Sequence, residues 1–415
     1  MPGGFDCIIG NPPYRMLQPN NTSSDALSYL RSNYVAAEFK IEFFHLFLQR
    51  AISLLKEGGH TSYILPSTVL NNVYAEGLRR WIMDQCCMEK IAIARGRVFA
   101  DADVHTCVLV LKRDSSTKER DNQLVESSTE LSKEFVQRPS FSSRTRQAAL
   151  KDLPGAVWNV IADERSVRLL SRISKSFVPL EKVGTINRGL ITGDRDKYFS
   201  SVKKTENHVR IITGSDLHRY HTDRPAEFVL FMRPRTSGGC WDEEVHFAPH
   251  KIVIRQICTE PTASILRKPL AVTGNIFTVR ADSLETELYL LGILNSRLTG
   301  FFWRSMFADY KTSFPQVTVF SLAQVPTRHI DLTDPSDKKK RDKLVALVGS
   351  MLSLQEQLTE TNSIAQKGIL ERQIEATDDQ IDHLVYELFE LTDQEIAIIE
   401  DAMQKSKSAE SGARR

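Results

Sequence analysis

Apolar runs of strand length alternate with amphipathic helical patterns over the first hundred residues of the chain. Residues 5–9 form a short apolar run, and residues 42–55 carry apolar side chains at the spacing of one helical face. A second apolar run, at residues 62–65, ends at Pro66. This alternation is typical of β–α–β units and predicts an α/β fold. The same pattern predicts a further helix at residues 73–83 and further strands at residues 91–94 and 104–111.

Four more segments follow this first region, residues 1–113, and they differ in composition. Polar residues dominate from residue 114 to residue 147, with no apolar periodicity until near Leu150, and residues 114–178 are predicted to be a linker and surface excursion. Residues 179–334 hold short β-type runs and one strong helical pattern at residues 286–302, which predicts a mixed α/β domain. Apolar residues at heptad spacing in residues 335–403 predict two long helices folded back as a hairpin. Residues 404–415 are predicted to be a disordered tail.

The composition excludes several classes of protein. The 415 residues carry a formal net charge of +2, so a nucleic-acid surface would have to arise from local clustering of Lys and Arg. None of the six cysteines forms a Cys-x-x-Cys pair, which excludes zinc-ribbon spacing, and we expect no metal. No apolar run is long enough to span a membrane. We therefore expect a cytoplasmic protein with free thiols and no membrane partner.

Residues 11–14, Asn-Pro-Pro-Tyr, stand directly after the predicted strand at residues 5–9. An exocyclic adenine amine is a poor nucleophile because its lone pair is delocalised into the ring. The side-chain carbonyl of Asn11 and the backbone carbonyl of Pro12 can accept hydrogen bonds from that amine. Such acceptors bind the developing ammonium more strongly than the ground-state amine, which accelerates methyl transfer. The ring of Tyr14 can stack on a base that has been flipped out of the duplex.

The same four residues also suit a plain turn, because Asn and Pro are common turn residues. Their position favours a functional site, since ligands of open α/β sheets bind beyond the carboxyl ends of the strands. We therefore predict Asn11, Pro12, Pro13 and Tyr14 as catalytic residues.

Residues 3–14 resemble motif IV of the gamma-type adenine-N6 DNA methyltransferases, in the branch that contains the TaqI methyltransferase and the type IIG restriction enzymes. The resemblance continues through residues 43–66 and through Arg97-Val98-Phe99, which is similar to motif VIII. It implies a Rossmann-like methyltransferase sheet, of which residues 1–113 form the C-terminal half. It also implies that Phe99 contacts the flipped adenine, although a Phe here suits a plain core position as well.

The later block resembles the target-recognition domain of the TaqI-like enzymes, and the helical tail is similar to the C-terminal hairpin of larger type IIG proteins. The similar segments are residues 211–217, 251–255, 291–296 and 325–326. The resemblance implies that residues 179–334 bind double-stranded DNA, with phosphate contacts setting the register and base-edge contacts setting the sequence. The candidate DNA-binding side chains are Arg188, Lys251, Arg255 and Lys311, each of which also suits an ordinary surface position.

The sequence departs from the family pattern at the binding loop for the methyl donor, S-adenosylmethionine. In the family its Gly-rich binding loop stands well upstream of the Asn-Pro-Pro-Tyr segment, whereas ten residues precede Asn11 here. Gly3-Gly4 lacks the flanking strand and helix, and Gly58-Gly59 and Gly238-Gly239 suit turns. The strand at residues 5–9 would then be left at a sheet edge, with unpaired backbone groups and an apolar surface. We therefore expect a fragment, a mis-started product or one subunit of a split enzyme, with the donor-binding half on a partner chain.

Functions from different classes fit these observations. The first is site-specific, S-adenosylmethionine-dependent adenine-N6 methylation of DNA in a restriction–modification or phage-defence system. The second is a catalytically inactive DNA-binding specificity module, which the missing donor loop favours. A third, methylation of a protein glutamine or an RNA base, needs the same acceptors, but the long second domain and the helical tail argue against it. Assays of donor binding, DNA binding and methyl transfer distinguish among them.

Overall fold

A mixed six-stranded sheet forms the centre of the N-terminal part of the chain in the computed structural model. The structure describes residues 3–37, 40–94, 105–131, 140–159, 162–307 and 317–413. The chain divides into two units: unit 1 comprises Met1–Lys175 with Ser305–Thr312, and unit 2 comprises Ser176–Arg304 with Ser313–Arg415. The predicted sheet domain therefore falls in unit 1 and most of the predicted recognition domain in unit 2.

Strands and helices alternate in unit 1, as the apolar pattern predicts. Its strands are β1 (Phe5–Gly10), β2 (Met16–Leu17), β3 (Ile41–Glu42), β4 (Leu55–Pro66), β5 (Cys86–Ala94), β6 (Thr106–Arg113), β7 (Leu124–Leu131) and β8 (Ser143–Arg146). Its α-helices are α1 (Ser24–Asn33), α2 (Phe43–Leu54), α3 (Glu76–Gln85), α4 (Thr117–Asn122), α5 (Gln147–Lys151) and α6 (Glu164–Ser176).

The large sheet of unit 1 has the strand order β1-β4-β6-β5-β7-β8. β1 runs parallel to β4, β6 is antiparallel to both β4 and β5, and β7 is parallel to β5. Leu65 of β4 and Leu109 of β6 are fully buried, as are Ile52 of α2 and Ile82 of α3. The burial of these side chains supplies the apolar core, and the predicted α/β fold with a Rossmann-like half-sheet is confirmed.

β1 lies at one end of this sheet and, within the described residues, pairs with β4 alone. Its side chains are unusually exposed for an apolar strand: Phe5 is 51% and Ile9 is 78% exposed. An unpaired strand edge with apolar side chains can pair with another backbone segment. The strand at residues 5–9 therefore stands at an edge of the described sheet, as the sequence predicts.

The segment at residues 114–178, predicted to be a linker and excursion, instead extends the sheet with β7 and β8. Buried hydrogen bonds of polar side chains hold it in place. Gln147, which is fully buried, accepts a hydrogen bond of 2.7 Å from the backbone N–H of Met88. The equally buried Arg79 donates to the carbonyl of Gly155 at 2.7 Å. The linker interpretation is wrong for the described part of this segment: hydrogen-bonded polar groups hold it in place, and α6 buries Val167, Leu170 and Ile173.

Unit 2 contains two four-stranded sheets, with orders β10-β19-β16-β17 and β11-β15-β12-β18. Its strands are β9 (Val178–Pro179), β10 (Thr185–Arg188), β11 (Phe199–Ser200), β12 (His208–Ile212), β13 (Leu217–His218), β14 (His221–Thr222), β15 (Glu227–Leu230), β16 (Lys251–Arg255), β17 (Ala263–Leu266), β18 (Ala271–Val272), β19 (Ile276–Arg280) and β20 (Pro326–Thr327). Ile212, Val253 and Ile276 meet in one buried cluster. The predicted mixed α/β character of this region is confirmed.

The helices of unit 2 differ from the prediction at one point. They are α7 (Arg195–Tyr198), α8 (Glu243–His246), α9 (Leu284–Leu294), α10 (Arg297–Met306), α11 (Val319–Ala323), α12 (Pro335–Glu360), α13 (Ile364–Leu388) and α14 (Asp393–Ala413). The single helix predicted at residues 286–302 is two helices, α9 and α10, separated at Asn295. The Asn295 side chain exchanges hydrogen bonds of 3.0 Å with the backbone N–H and carbonyl of Ala263, which fixes the break.

The predicted C-terminal hairpin corresponds to α12 and α13. Asp334 caps α12 ahead of Pro335, and Ser363 caps α13. Leu344 and Val348 at heptad spacing are fully buried. A third helix, α14, continues to Ala413, so the disordered tail predicted at residues 404–415 is helical where the structure describes it. None of the helices in the described part of the chain combines the length and apolarity needed to cross a membrane.

Candidate active site and DNA-recognition residues

The Asn-Pro-Pro-Tyr segment leaves the sheet at the carboxyl end of β1. β1 and β4 are in parallel register there, with Gly10 opposite Tyr63. A Cβ atom at Gly10 would lie 3.0 Å from the Tyr63 ring, so the close approach of these strands favours glycine at this position. The strand end therefore delivers residues 11–14 to the rim of the sheet, where α/β folds bind ligands.

Tyr14 is held in a defined orientation. Its hydroxyl donates a hydrogen bond of 3.0 Å to the backbone carbonyl of Ile64, which lies in β4. Its ring meets Phe44 edge to face, with ring centroids 6.0 Å apart and an interplanar angle of 76°. Burial raises the pKa of Tyr14 to about 12, and the thiol of Cys107 contributes to the same shift. The hydroxyl thus stays protonated and keeps donating to Ile64 at neutral pH.

The other residues of the segment differ in exposure. Asn11 and Pro13 are exposed, and Pro12 between them is buried. Within the described residues, the Asn11 carboxamide makes no hydrogen bond to another part of the chain. Its carbonyl is therefore accessible to an external donor, while Pro12 and Tyr14 anchor the segment to the protein.

Two of the predicted contact residues lie outside the described residues. Phe99, the candidate second aromatic contact to a flipped base, falls in the undescribed residues 95–104, and Lys311 falls in residues 308–316. Both stay predictions from the sequence.

The three glycine pairs, Gly3-Gly4, Gly58-Gly59 and Gly238-Gly239, bear on whether this chain can hold S-adenosylmethionine. Gly4 has a φ of +73°, and a Cβ there would lie 2.7 Å from the backbone carbonyl oxygen of Leu54, at the end of α2. A Cβ at Gly59 would lie 2.7 Å from the Phe5 carbonyl oxygen, and one at Gly239 would lie 2.0 Å from that of Gly189. One glycine of each pair thus fits a close backbone crossing of this chain. None of the three fits a donor-binding loop, which must leave space for a ligand.

Lys251 does not occupy the position that DNA binding requires. It is fully buried in β16, and its ammonium group donates to the backbone carbonyl of His246 at 2.5 Å. Burial, assisted by the nearby Arg280 and opposed by Glu287, lowers its pKa to about 8. A phosphate cannot reach this ammonium group, so the prediction that Lys251 contacts DNA is wrong. The sequence does not reveal this, because a lysine at the first position of a strand resembles a surface residue.

Arg188 and Arg255 are both engaged in hydrogen bonds within unit 2. Arg188 is exposed at the end of β10, and its Nε donates to the carbonyl of Gly274 at 2.7 Å. Arg255 is half-buried and donates to the backbone carbonyl of Leu217. Arg188 keeps an exposed guanidinium edge, whereas Arg255 mainly braces β13 against β16.

The sequence prediction overlooked exposed arginines on the loop after β15. Arg233 and Arg235 are exposed there, on either side of Pro234. An Arg-Pro-Arg run between glycines and a strand could have been identified as a cationic loop. Within the part of the chain that the structure describes, there is no group of His, Cys, Asp or Glu side chains arranged to hold a metal ion.

Family models match two separate parts of the chain. Residues 1–99 match the Eco57I restriction-modification methylase, and residues 209–327 match the TaqI-like C-terminal specificity domain. The first match contains β1 and the Asn-Pro-Pro-Tyr segment, and the second contains most of the two sheets of unit 2.

Curated relatives cover the chain to different extents. A Methanocaldococcus jannaschii protein named as a type II restriction enzyme and methyltransferase, RM.MjaORFECS2P, is 25% identical over 89% of this chain and 30% of its own length. The Escherichia coli type II restriction enzyme and methyltransferase RM.Eco57I is 31% identical over 27% of this chain and 11% of its own length. The adenine-specific methyltransferase BrxX of Escherichia coli is 27% identical over 44% of this chain. The chain thus spans less than a third of the length of these relatives.

Solved structures share the fold. The type IIL restriction-modification enzyme MmeI in complex with DNA has a TM-score of 0.61 at 10% identity, and the match covers 98% of this chain and 57% of that chain. The DrdV–DNA complex has a TM-score of 0.52 at 12% identity, covering 84% and 44%. At these identities the likeness establishes the architecture of the chain.

Proposed function

Because this chain carries an Eco57I-like restriction-modification methylase domain and a TaqI-like C-terminal specificity domain, and its relatives are type II restriction–modification methyltransferases, we propose that it serves site-specific methylation of adenine N6 in duplex DNA. Unit 1 holds the flipped adenine and unit 2 selects the DNA sequence. The name of the relative BrxX, an adenine-specific methyltransferase, supports the choice of base.

The placement of Asn11 carries this proposal. Its carboxamide is exposed at the carboxyl end of β1, next to the buried Pro12. In the proposed complex, the Asn11 side-chain carbonyl and the Pro12 backbone carbonyl accept the two hydrogens of the adenine amine. These bonds strengthen as the nitrogen gains positive charge, so they stabilise the transition state more than the bound base.

Tyr14 supplies the stacking surface in this proposal. Its bond to Ile64 and its contact with Phe44 fix the ring before a base arrives, so little conformational entropy is lost on binding. Stacking of this kind contributes roughly 1–3 kcal/mol per base, which offsets part of the cost of flipping. Pro13 holds the backbone between the acceptors and the ring, and Phe99 is proposed as the second aromatic contact.

The methyl donor requires residues beyond those described. S-adenosylmethionine supplies the electrophilic methyl group in the reaction that the family catalyses, and the glycine pairs of this chain do not fit it. The exposed edge of β1 offers a place where a donor-binding segment could complete the sheet. We propose that this segment comes from a partner chain or from further residues of a longer protein, and that methyl transfer requires it.

Methylation chemistry and base flipping test the proposal separately. The full chain is incubated with methyl-tritiated S-adenosylmethionine and duplex DNA recovered by the chain from a randomised library, and the methylated nucleosides are identified. N6-methyladenine supports the proposal, and methylated cytosine overturns it. Where a donor-binding segment completes the site, Asn11→Ala should lower methyl transfer on the order of 100-fold. Where the full chain alone transfers no methyl group, the base-flipping measurement below tests the same site. Asn20→Ala, a change at an exposed residue of the following loop, is the matched control.

A second candidate is a catalytically inactive DNA-binding specificity module, favoured by the poor fit of the glycine pairs to the donor. Base flipping distinguishes it from one half of a split enzyme. In the recovered duplexes, 2-aminopurine replaces each adenine in turn, and its fluorescence rises when the base leaves the stack. A rise at one position without methyl transfer supports the split enzyme. Sequence-specific binding with neither a rise nor donor binding supports the specificity module.

A further inference from the structure

The loop that follows β15 is anchored firmly at its first end. The backbone N–H of Phe231 donates to the carbonyl of Asn207 at 2.9 Å. The Phe231 ring packs against Phe247, Trp241 and His246, with ring centroids 5.0, 5.6 and 5.4 Å away. This aromatic cluster fixes the point at which the chain leaves the sheet.

The second end of the loop is fixed by backbone contacts. Gly238 and Ile191 exchange two hydrogen bonds, of 3.0 and 3.1 Å, and the indole N–H of Trp241 donates to the Gly238 carbonyl at 3.0 Å. Gly239 has a φ of +70° and crosses Gly189 so closely that any side chain would clash. Contacts at Phe231 and at Gly238 thus fix the backbone at both ends of the loop.

The residues between these anchors project from unit 2, and we call residues 232–237 the arginine loop. Their sequence is Met-Arg-Pro-Arg-Thr-Ser, without an acidic residue. Met232 is 54% exposed, and Arg233 and Arg235 are exposed. Within the described residues neither arginine forms an ion pair, although Arg233 Nε donates to Ser237 Oγ at 3.3 Å. Pro234 between them restricts the backbone.

Two other exposed arginines of the same domain are neutralised or occupied, whereas Arg224 and Arg267 are exposed and, within the described residues, form no ion pair. Arg195 pairs with Glu227 at 2.6 Å and stacks on Phe199. Arg210 donates to the carbonyl of Pro225 at 2.9 Å. The arginine loop therefore presents two uncompensated guanidinium groups on a fixed scaffold in a chain whose net charge is only +2.

We propose that the arginine loop enters a groove of duplex DNA and that Arg233 and Arg235 bind base edges there. This inference rests on the proposed role of unit 2 in DNA recognition. A guanidinium group presents a planar pair of donors that matches the two acceptors on the major-groove edge of guanine. Direct readout of this kind requires that the side chains start from a rigid backbone, which the two anchors supply.

The experiment measures both affinity and sequence preference of the full chain. Wild type is first used to select preferred duplexes from a randomised library. Arg233→Ala, Arg235→Ala and the two Lys substitutions at these positions are then compared on the selected duplex and on single-base variants of it. Arg224→Ala is the matched control. Arg224 is exposed in the same domain but lies outside the arginine loop, because it precedes β15 and the loop follows that strand.

A base contact predicts a roughly 5- to 150-fold loss of affinity for the selected duplex, with preference relaxed at one base pair. Lysine keeps the charge but not the planar fork, so it should leave that preference relaxed. If the lysine variants bind with the affinity and sequence preference of wild type, and the alanine variants lose only part of the salt dependence of binding, the arginines contact phosphates. That result would overturn the inference. The inference would also be overturned if Arg233→Ala and Arg235→Ala bound the selected duplex with the same affinity and preference as Arg224→Ala. If wild type binds no duplex with preference, the proposed function of unit 2 itself fails.

Discussion

Arg219 and Asp378, 159 residues apart in the sequence, join their side chains through two hydrogen bonds of 2.6 and 2.8 Å. Arg219 also donates to the backbone carbonyl of Asn295 at 2.6 Å. Within unit 2, this guanidinium group therefore ties the turn between β13 and β14 to the long helix α13 and to the break between α9 and α10. Bidentate, partly buried pairs of this kind are stronger than single exposed ion pairs.

Replacing Arg219 should destabilise unit 2. Arg219→Ala leaves the Asp378 carboxylate, whose side chain is only 20% exposed, without its bidentate partner. The expected loss is about 2 kcal/mol of unfolding free energy, since hydrogen bonds to charged groups contribute roughly 1.5–3 kcal/mol. Urea denaturation of the full chain measures the change, and Arg224→Ala should stay within about 0.5 kcal/mol of wild type. Equal stability of the two variants would show that the pair contributes nothing.

The first strand and the motif after it could be predicted from the sequence, because their signals are local. An apolar run followed by Asn-Pro-Pro-Tyr needs no long-range information, and the structure places residues 11–14 at the end of β1. The edge position of β1 was expected from the resemblance, because the strand that pairs with its other side in the family belongs to the donor-binding part of the sheet.

Long-range polar contacts account for what the sequence did not reveal. Gln147 and Lys251 look like surface residues, yet both are fully buried and hydrogen-bonded to backbone groups. Asn295 interrupts a continuous helical pattern because its side chain bonds to Ala263, 32 residues earlier. Such partners cannot be identified from spacing in one sequence, so the sheet extension by β7 and β8 and the break between α9 and α10 were not predicted.

The exposed edge of β1 should control self-association. Ile9 is 78% exposed on that edge, and Ile9→Lys replaces an apolar side chain with a charge that disfavours edge pairing. We expect a larger monomer fraction in size-exclusion chromatography of the full chain. Val202→Lys is the control, because Val202 is 60% exposed but lies in a loop of unit 2. The idea fails if both substitutions change the monomer fraction equally.

His45 should make unit 1 less stable in acid. It is 1% exposed, and burial, assisted by the nearby Arg79, lowers its pKa from 6.5 to about 4. Between pH 6.5 and pH 4 the unfolded chain therefore binds a proton that the folded chain does not, so stability falls as the pH falls through this window. A shift of this size corresponds to about 3 kcal/mol.

Comparison of His45→Gln with wild type isolates this effect from other titrating groups. The difference in unfolding free energy between the two proteins should change by about 3 kcal/mol from pH 7 to pH 4, in favour of the variant at low pH. His60→Gln, at a partly exposed position in β4, is the control. A difference between His45→Gln and wild type that stays constant over this pH range would contradict the burial argument.

Tyr14 should contribute to base flipping through its ring and to stability through its hydroxyl, and two substitutions separate these roles. Tyr14→Phe removes the bond to Ile64 and should cost about 1 kcal/mol of stability while keeping the stacking surface. Tyr14→Ala removes the ring as well, and loss of roughly 1–3 kcal/mol of stacking should weaken capture of the flipped base about 5- to 150-fold. The 2-aminopurine signal at the target position reports capture, and urea denaturation reports stability. Tyr29→Ala, at a position 61% exposed on α1, controls for loss of a tyrosine elsewhere in unit 1. If Tyr14→Ala captures the base as well as Tyr29→Ala does, Tyr14 is a structural residue and other side chains must form the stacking surface for the flipped base.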